Sequence, residues 1–238
     1  MFKLISVNIE HDKHIDRLMP FLERERPDVL YLQEVFEEDF SLMREKFSME
    51  GAFEPYLFVK SSLGSGELHK SGCAILTKLP MRDIKVEYYY GDASEIKTHG
   101  LIAVEDQSKV LLSANVEISG KSYRLATTHF TWSADGDATD RQREDLKKLL
   151  GLLREERSLI LAGDFNAPRG REIFSELSKH YRDNIPREYT TSVDKNLHRA
   201  GDLQLMVDGL FSTEDIEFGN VKLVDGVSDH MAIVAEVK

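Results

Sequence analysis

The sequence holds a single cysteine, Cys73, and a single tryptophan, Trp132, among 238 residues. One thiol cannot build an internal disulfide framework, and Cys73 lies in an apolar, strand-like run that reads as a buried structural thiol and not as a nucleophile. Long apolar runs are also missing. Nothing approaches the roughly 20 residues of a membrane span, and the opening Met1-Phe2-Lys3-Leu4-Ile5-Ser6-Val7-Asn8 lacks a signal peptide's apolar core. A soluble, cytoplasmic protein without a membrane span is expected. Positive charge is in deficit: 31 Lys and Arg stand against 42 Asp and Glu, for a net charge of −11. That balance argues against a broad basic face that grips long nucleic acid, although local binding stays open. No Pro/Gly/Ser-rich linker or low-complexity run divides the chain, so one domain over residues 1–238, and a monomer, is expected.

What is present is organised around two apolar runs that each end in a carboxylate. Pro27-Asp28-Val29-Leu30-Tyr31-Leu32-Gln33 leads into Glu34, and Ser158-Leu159-Ile160-Leu161-Ala162-Gly163 leads into Asp164. Each run follows a helix-like stretch and reads as a parallel strand of an α/β sheet, where ligands gather at the carboxyl ends of strands. Asn8, His129, Asp208 and Ser228-Asp229-His230 stand at comparable places, where a strand ends or a loop begins. Carboxylates suit a hard divalent cation, while histidine and asparagine supply proton handling and neutral donors.

The coarse reading places a strand over residues 1–9, a helix over 14–25 and a second strand over 29–33. A helix over 37–49 follows, then strands at 53–59, 72–78, 84–90, 110–118 and 123–128, with a hairpin turn at 119–122. Helices are expected over about 139–156 and 171–181, and strands over 204–211 and 231–237.

Seven segments in order resemble the endonuclease/exonuclease/phosphatase superfamily, which includes exonuclease III-like and DNase I-like proteins. They are Ser6-Val7-Asn8-Ile9, Leu32-Gln33-Glu34-Val35, Ser71-Gly72-Cys73-Ala74-Ile75-Leu76-Thr77, Thr128-His129-Phe130, Gly163-Asp164-Phe165-Asn166, Val207-Asp208-Gly209-Leu210-Phe211 and Ser228-Asp229-His230. Each is weak alone; their joint order over nearly the whole chain is specific. The resemblance implies an α/β fold, a four-layer α/β sandwich with two mixed β-sheets face to face and helices outside. The two carboxylate-ended strands would be its pseudo-symmetric pair. It also implies a metal-dependent hydrolase acting on phosphoester bonds with Mg²⁺ or Mn²⁺ as cofactor.

On that resemblance, Glu34, Asn8 and Asp229 form the metal side of the site. Asp164, Asn166, His129, Asp208 and His230 carry the chemistry, with Asp208 fixing the tautomer of His230 and Asp164 positioning the attacking water. An extended Asp164-Phe165-Asn166 segment would point carboxylate and amide the same way. From the residues alone, Glu34 reads equally as a solvated strand-end charge, and Asp164 with Asn166 as a turn followed by a helix cap. His11 and His14 read as surface histidines on a solvated turn, and His69, His99, His180 and His198 receive no role. The chain departs from the family at Met206, where a basic residue is common, and at Gly209, often aromatic.

Three loops would decide the substrate: 61–70, 131–137 with Trp132, and 187–201 with Lys195, His198 and Arg199. Thr190, Thr191 and Asn196 in the last match the family loosely. The leading expectation is a phosphodiesterase acting on a nucleic-acid end, a single strand or a nucleotide by in-line water attack. The alternatives are a phosphatase or phosphodiesterase for inositol phosphates, other small molecules or lipid headgroups, an abasic- or DNase-like endonuclease, and a catalytically dead binding module.

Overall fold

The computed structural model describes residues 1–64, 66–94, 96–103, 106–118 and 120–238. The chain begins with β1 (Phe2–Asn8), crosses through α1 (Ile15–Glu25) and returns as β2 (Val29–Phe36), parallel to β1. After α2 (Glu37–Lys46), β3 (Glu50–Lys60) and β4 (Leu68–Thr77) pair antiparallel. There follow β5 (Met81–Tyr90), the two-residue β6 (Lys97–Thr98), β7 (Lys109–Ile118) and β8 (Lys121–His129). A 3₁₀ turn (Ala134–Gly136) precedes α3 (Asp140–Leu153), and β9 (Leu159–Asp164) then runs parallel to β8. The chain finishes with α4 (Glu172–His180), β10 (Arg182–Asp183), β11 (Asp208–Ser212), β12 (Phe218–Val224) and β13 (Ala232–Val237).

Two mixed sheets result, ordered β12-β13-β1-β2-β4-β3-β6 and β10-β11-β9-β8-β7-β5. Their facing sides share a core that includes Leu4, Tyr31, Ile75, Leu112, Leu125, Ile160 and Ile233. Leu18, Phe21, Leu22, Phe40 and Met43 of α1 and α2 cover the outer face of the first sheet. Leu146, Leu149, Phe174 and Leu177 of α3 and α4 cover the second. This is the expected four-layer sandwich, each half centred on one βαβ unit, β1-α1-β2 and β8-α3-β9. Alternation explains the layering, because each strand sends successive side chains to opposite faces and both faces are covered.

Two buried polar contacts tie the sheets across the core. Tyr31 donates its hydroxyl to the Ile160 carbonyl at 3.1 Å, and Gln33 Nε2 donates to Thr127 Oγ1 at 2.9 Å. Buried partners of this kind fix how the sheets slide against each other, since a mispaired polar group costs about 1–3 kcal/mol.

Several boundaries differ from expectation for identifiable reasons. The second strand does not stop at Gln33; it continues to Phe36 through a bulge between Leu32 and Val35, with Glu34 at φ 55°. The second helix ends at Lys46, before Met49, where Ser48 at φ 52° turns the chain into β3. The strand expected from Gln204 begins only at Asp208, because Ser192 Oγ accepts from Val207 N and Asp208 N in place of a neighbouring strand. The 119–122 hairpin is tighter than expected, as Lys121 already pairs with Ile118. Ser119 of that turn and Ser65 of the 61–70 loop lie outside the described residues. No helix among the described residues is long and apolar enough to cross a membrane.

Candidate active site

The carboxyl ends of the two parallel strand pairs converge. Asn8 ends β1, Glu34 sits in the β2 bulge, His129 ends β8 and Asp164 ends β9, where His129 and Asp164 are register partners. Gly163 makes that pairing possible: a Cβ there would lie 2.1 Å from the Thr128 carbonyl oxygen.

Asp164 Oδ2 is the hub. Asn8 Nδ2 donates to it at 3.1 Å, His129 Nε2 lies 3.5 Å away and His230 Nε2 3.8 Å away. Asn8 Nδ2 also reaches Glu34 Oε1 at 3.1 Å, while its Oδ1 accepts from Glu10 N. One amide thus spaces two carboxylates from opposite halves of the fold. His230 Nδ1 meets Asp208 Oδ2 at 2.7 Å, the expected pair, and both are buried. Burial disfavours the His230 imidazolium, but Asp208 and then Asp164 outweigh it and hold the ring charged.

His129 is the opposite case. Burial pushes its pKa down to about 3, against the upward pull of Glu34, so the ring is neutral near neutral pH. The Tyr56 hydroxyl lies 2.9 Å from His129 Nδ1, and burial raises the Tyr56 pKa well above the phenol's usual value. Tyr56 therefore keeps its proton and donates it, which leaves the His129 proton on Nε2, facing Glu34 Oε1 at 3.8 Å and Asp164 Oδ2. The Glu34 carboxyl sits at about 2: burial would raise it, but His11, His129 and the Asn8 amide overcome that push. Asp164 is shifted upward, first by burial and then by Asp208, with His230 opposing.

Asp229 is also shifted upward by burial, with Glu10 and Glu34 adding to the effect against His230. Single ligand atoms of Glu10, His14 and Asp229 fall within 4.8 Å of one another, as do those of Asp164, Asp208 and His230. Among the described residues, no Lys or Arg forms an ion pair with Glu34, Asp164, Asp208 or Asp229. His230 and the buried Lys109, whose pKa burial lowers to about 8 against the pull of Asp164 and Glu34, lie near these carboxylates, and the carboxylate oxygens held on strand ends fit a hard divalent cation.

Asn166 departs from the extended geometry expected of it. Its φ is 49°, its N–H donates to Asp164 Oδ1 at 2.8 Å and its Nδ2 donates to the Phe130 carbonyl at 3.0 Å. The side chain thus braces the strand end next to His129, and does not run parallel to the Asp164 carboxylate. Glu10, His11, Glu34 and Asn166 all hold positive φ without being glycine, a concentration of backbone strain typical of functional sites.

Sequence reasoning missed Tyr56 and Glu10, and misplaced His11 and His14. The two histidines are only 16% and 12% exposed, His11 Nδ1 lying 3.4 Å from Glu34 Oε2 and His14 Nε2 3.1 Å from Glu10 Oε2. A carboxylate two residues after Asn8 was the available signal for Glu10; Tyr56 had none, since its place depends on how one sheet faces the other. The family departures have packing reasons. Met206 is a buried core residue, and the space over Gly209 is filled by the rings of Phe211 and Phe165.

A four-layer sandwich with a carboxylate–histidine cluster at converging strand ends defines a DNase I-like protein. The chain belongs to the endonuclease/exonuclease/phosphatase family, which it matches over residues 5–230. An endonuclease/exonuclease/phosphatase from Bacteroides vulgatus is similar over 100% of this chain and 98% of its own, with 15% identity and a TM-score of 0.76. The human Nocturnin catalytic domain, solved with a bound sulfate anion, is similar over 100% and 93%, with 17% identity and a TM-score of 0.66. The mannosyl-6-phosphatase Bt3783 of Bacteroides thetaiotaomicron is similar over 100% of both chains, with 13% identity and a TM-score of 0.69. No curated protein matches the chain at the level of sequence.

Proposed function

We propose that the protein is a divalent-metal-dependent phosphoester hydrolase, and that its substrate is a phosphodiester at a nucleic-acid end, in a single strand or in a nucleotide. The carrying observation is the shared Asp164 Oδ2, contacted by Asn8, His129 and His230 beside Glu34, with no Lys or Arg among the described residues in ion-pair reach. Glu34 with Asn8 beside it, and Asp229 with Glu10 beside it, would hold Mg²⁺ or Mn²⁺, which would supply Lewis-acid neutralisation of a phosphoryl oxygen. Asp164, with its upward-shifted pKa, orients and deprotonates the attacking water. His230, kept charged by Asp208, and neutral His129, with its proton on Nε2, present donors to the non-bridging oxygens. Asn166 holds the strand end that carries His129. Positioning and electrostatics supply most of the rate, and no covalent intermediate is needed.

The net charge of −11 favours a substrate touched at few phosphates. Trp132, 41% exposed in the loop after His129, offers a face for one base. A sugar phosphatase among the similar folds makes a small phosphomonoester the competing substrate. The deciding experiment is hydrolysis of bis(p-nitrophenyl) phosphate, p-nitrophenyl phosphate, dinucleotides, single-stranded and duplex DNA and RNA, inositol phosphates and sphingomyelin, with Mg²⁺ and with Mn²⁺. Diester turnover that stops on chelation supports the proposal. Turnover that survives exhaustive chelation refutes the metal, and turnover of monoesters alone refutes the diester.

A further inference from the structure

His198 sits on a turn that is anchored to the segment carrying Asp229 and His230. Val193 bridges His230, Asp194 N donates to the Asp229 carbonyl at 2.8 Å, and Met231 N donates to the Ser192 carbonyl at 2.7 Å. The Asp194 side chain, 1% exposed, accepts from Asn196 N, Leu197 N and Gly226 N, and the His198 N–H donates to the Asp194 carbonyl at 2.8 Å. A buried carboxylate with three backbone donors makes a rigid turn out of a segment otherwise rich in exposed polar residues.

That turn brings the His198 ring 6.4 Å from the His230 ring, edge to face at 78°. Its Nδ1 accepts a hydrogen bond from the Ala200 N–H at 3.1 Å. An imidazole nitrogen that accepts is unprotonated, so the proton is on Nε2, and Nε2 has no protein partner among the described residues. The result is a half-buried, preset donor with a fixed tautomer beside His230. Burial, with His230 and Arg199, lowers the His198 pKa, in keeping with a neutral ring.

We propose that His198 is a substrate-contacting residue, donating its Nε2–H to a phosphoryl oxygen of a ligand seated beside His230. This rests on the phosphoester reading of the site. It makes the Asp194-braced turn a recognition element whose reach is one oxygen, and it distinguishes His198 from its exposed neighbours Lys195 and Arg199.

The test compares His198→Ala, His198→Gln and His198→Asn. Inorganic phosphate binding is measured by calorimetry in Mg²⁺, KM and kcat are measured on bis(p-nitrophenyl) phosphate, and folding is followed by thermal melting. Glutamine places its amide nitrogen near the position of Nε2, and asparagine places its amide near Nδ1. Loss of one hydrogen bond to a charged oxygen should weaken phosphate binding and raise KM about tenfold in the alanine variant, with little change in kcat. Glutamine should restore most of that loss, and asparagine should not. Rescue by asparagine alone would mean that the bond to Ala200 matters and would overturn the proposal, as would an alanine variant equal to wild type. If wild-type protein neither binds phosphate nor cleaves any phosphoester, the reading of the whole site falls, an outcome distinct from an active enzyme indifferent to residue 198.

Discussion

Tyr56→Phe removes one oxygen atom and tests the electrostatic logic of the site. Tyr56 is 3% exposed, and its hydroxyl lies 2.9 Å from His129 Nδ1. The phenylalanine ring fills the same space, so the loss is one buried hydrogen bond plus an unpaired ring nitrogen, about 1–3 kcal/mol. For a chain of this length, about 2 kcal/mol corresponds to a drop in Tm of roughly 4–8 °C. The larger consequence is tautomeric. Without a donor at Nδ1 the proton can occupy that nitrogen, and the Nε2 lone pair then faces Asp164 Oδ2 at 3.5 Å and Glu34 Oε1 at 3.8 Å. A ring in that form cannot donate to a phosphoryl oxygen. Since each 1.4 kcal/mol is tenfold, kcat is expected to fall about 10- to 100-fold while KM changes little. The assay combines steady-state kinetics, thermal melting and nitrogen chemical shifts of His129, which distinguish the two neutral tautomers. A variant with wild-type kcat, or one whose kcat falls while His129 keeps its proton on Nε2, would refute the reasoning.

Four further outcomes are expected. Asp208→Asn and His230→Ala should each lower kcat by about 10²- to 10⁴-fold, the range for a positioned proton-handling group; the double variant should be no worse than His230→Ala, and additive losses in a double-mutant cycle would argue against a working pair. Glu34→Gln should raise the metal concentration giving half-maximal rate without unfolding the protein, and an unchanged metal titration would remove Glu34 from the metal side. Gly163→Ala, whose Cβ would meet the Thr128 carbonyl oxygen at 2.1 Å, should cost about 3 kcal/mol or more by parting β8 from β9, and a melting temperature within 2 °C of wild type would contradict that. Burial pushes the Cys73 thiol up to about 12; because the thiolate reacts and the thiol does not, native protein at about pH 8 should resist a disulfide reagent until denatured, and rapid native labelling would place Cys73 at the surface.

The strands at the centre of each sheet were readable because they are largely apolar and buried on both faces, as in β1, β2 and β9. The edges were not. β12 carries mostly half-exposed and exposed side chains, and β6 and β10 are two residues each, too short for any period. In the candidate site, residues that follow an apolar run in the sequence announced themselves: Glu34, Asp164, His129 and Asp208. Contributions that depend on register between sheets, such as Tyr56 against His129, or on positive φ, such as Asn166 turning toward Phe130, leave no local pattern. His198 was legible only as part of a substrate-deciding loop, because its approach to His230 comes from the side-chain bonds of Asp194, and no hydrophobic period reports those.

The Asn8 amide bridges Glu34 and Asp164, and the last of these lies 156 residues along the chain. Neither βαβ unit holds a site alone, so a ligand gripped there must be released whenever the two sheets part. Occupancy is thereby linked to global unfolding and not to the opening of any one loop. A ligand at about 100 times its dissociation constant adds about 2.7 kcal/mol to the stability of the whole chain. The same arrangement delays assembly of the candidate site: with half of it at each end of so long a loop, it comes together only once both halves of the chain have been made and folded.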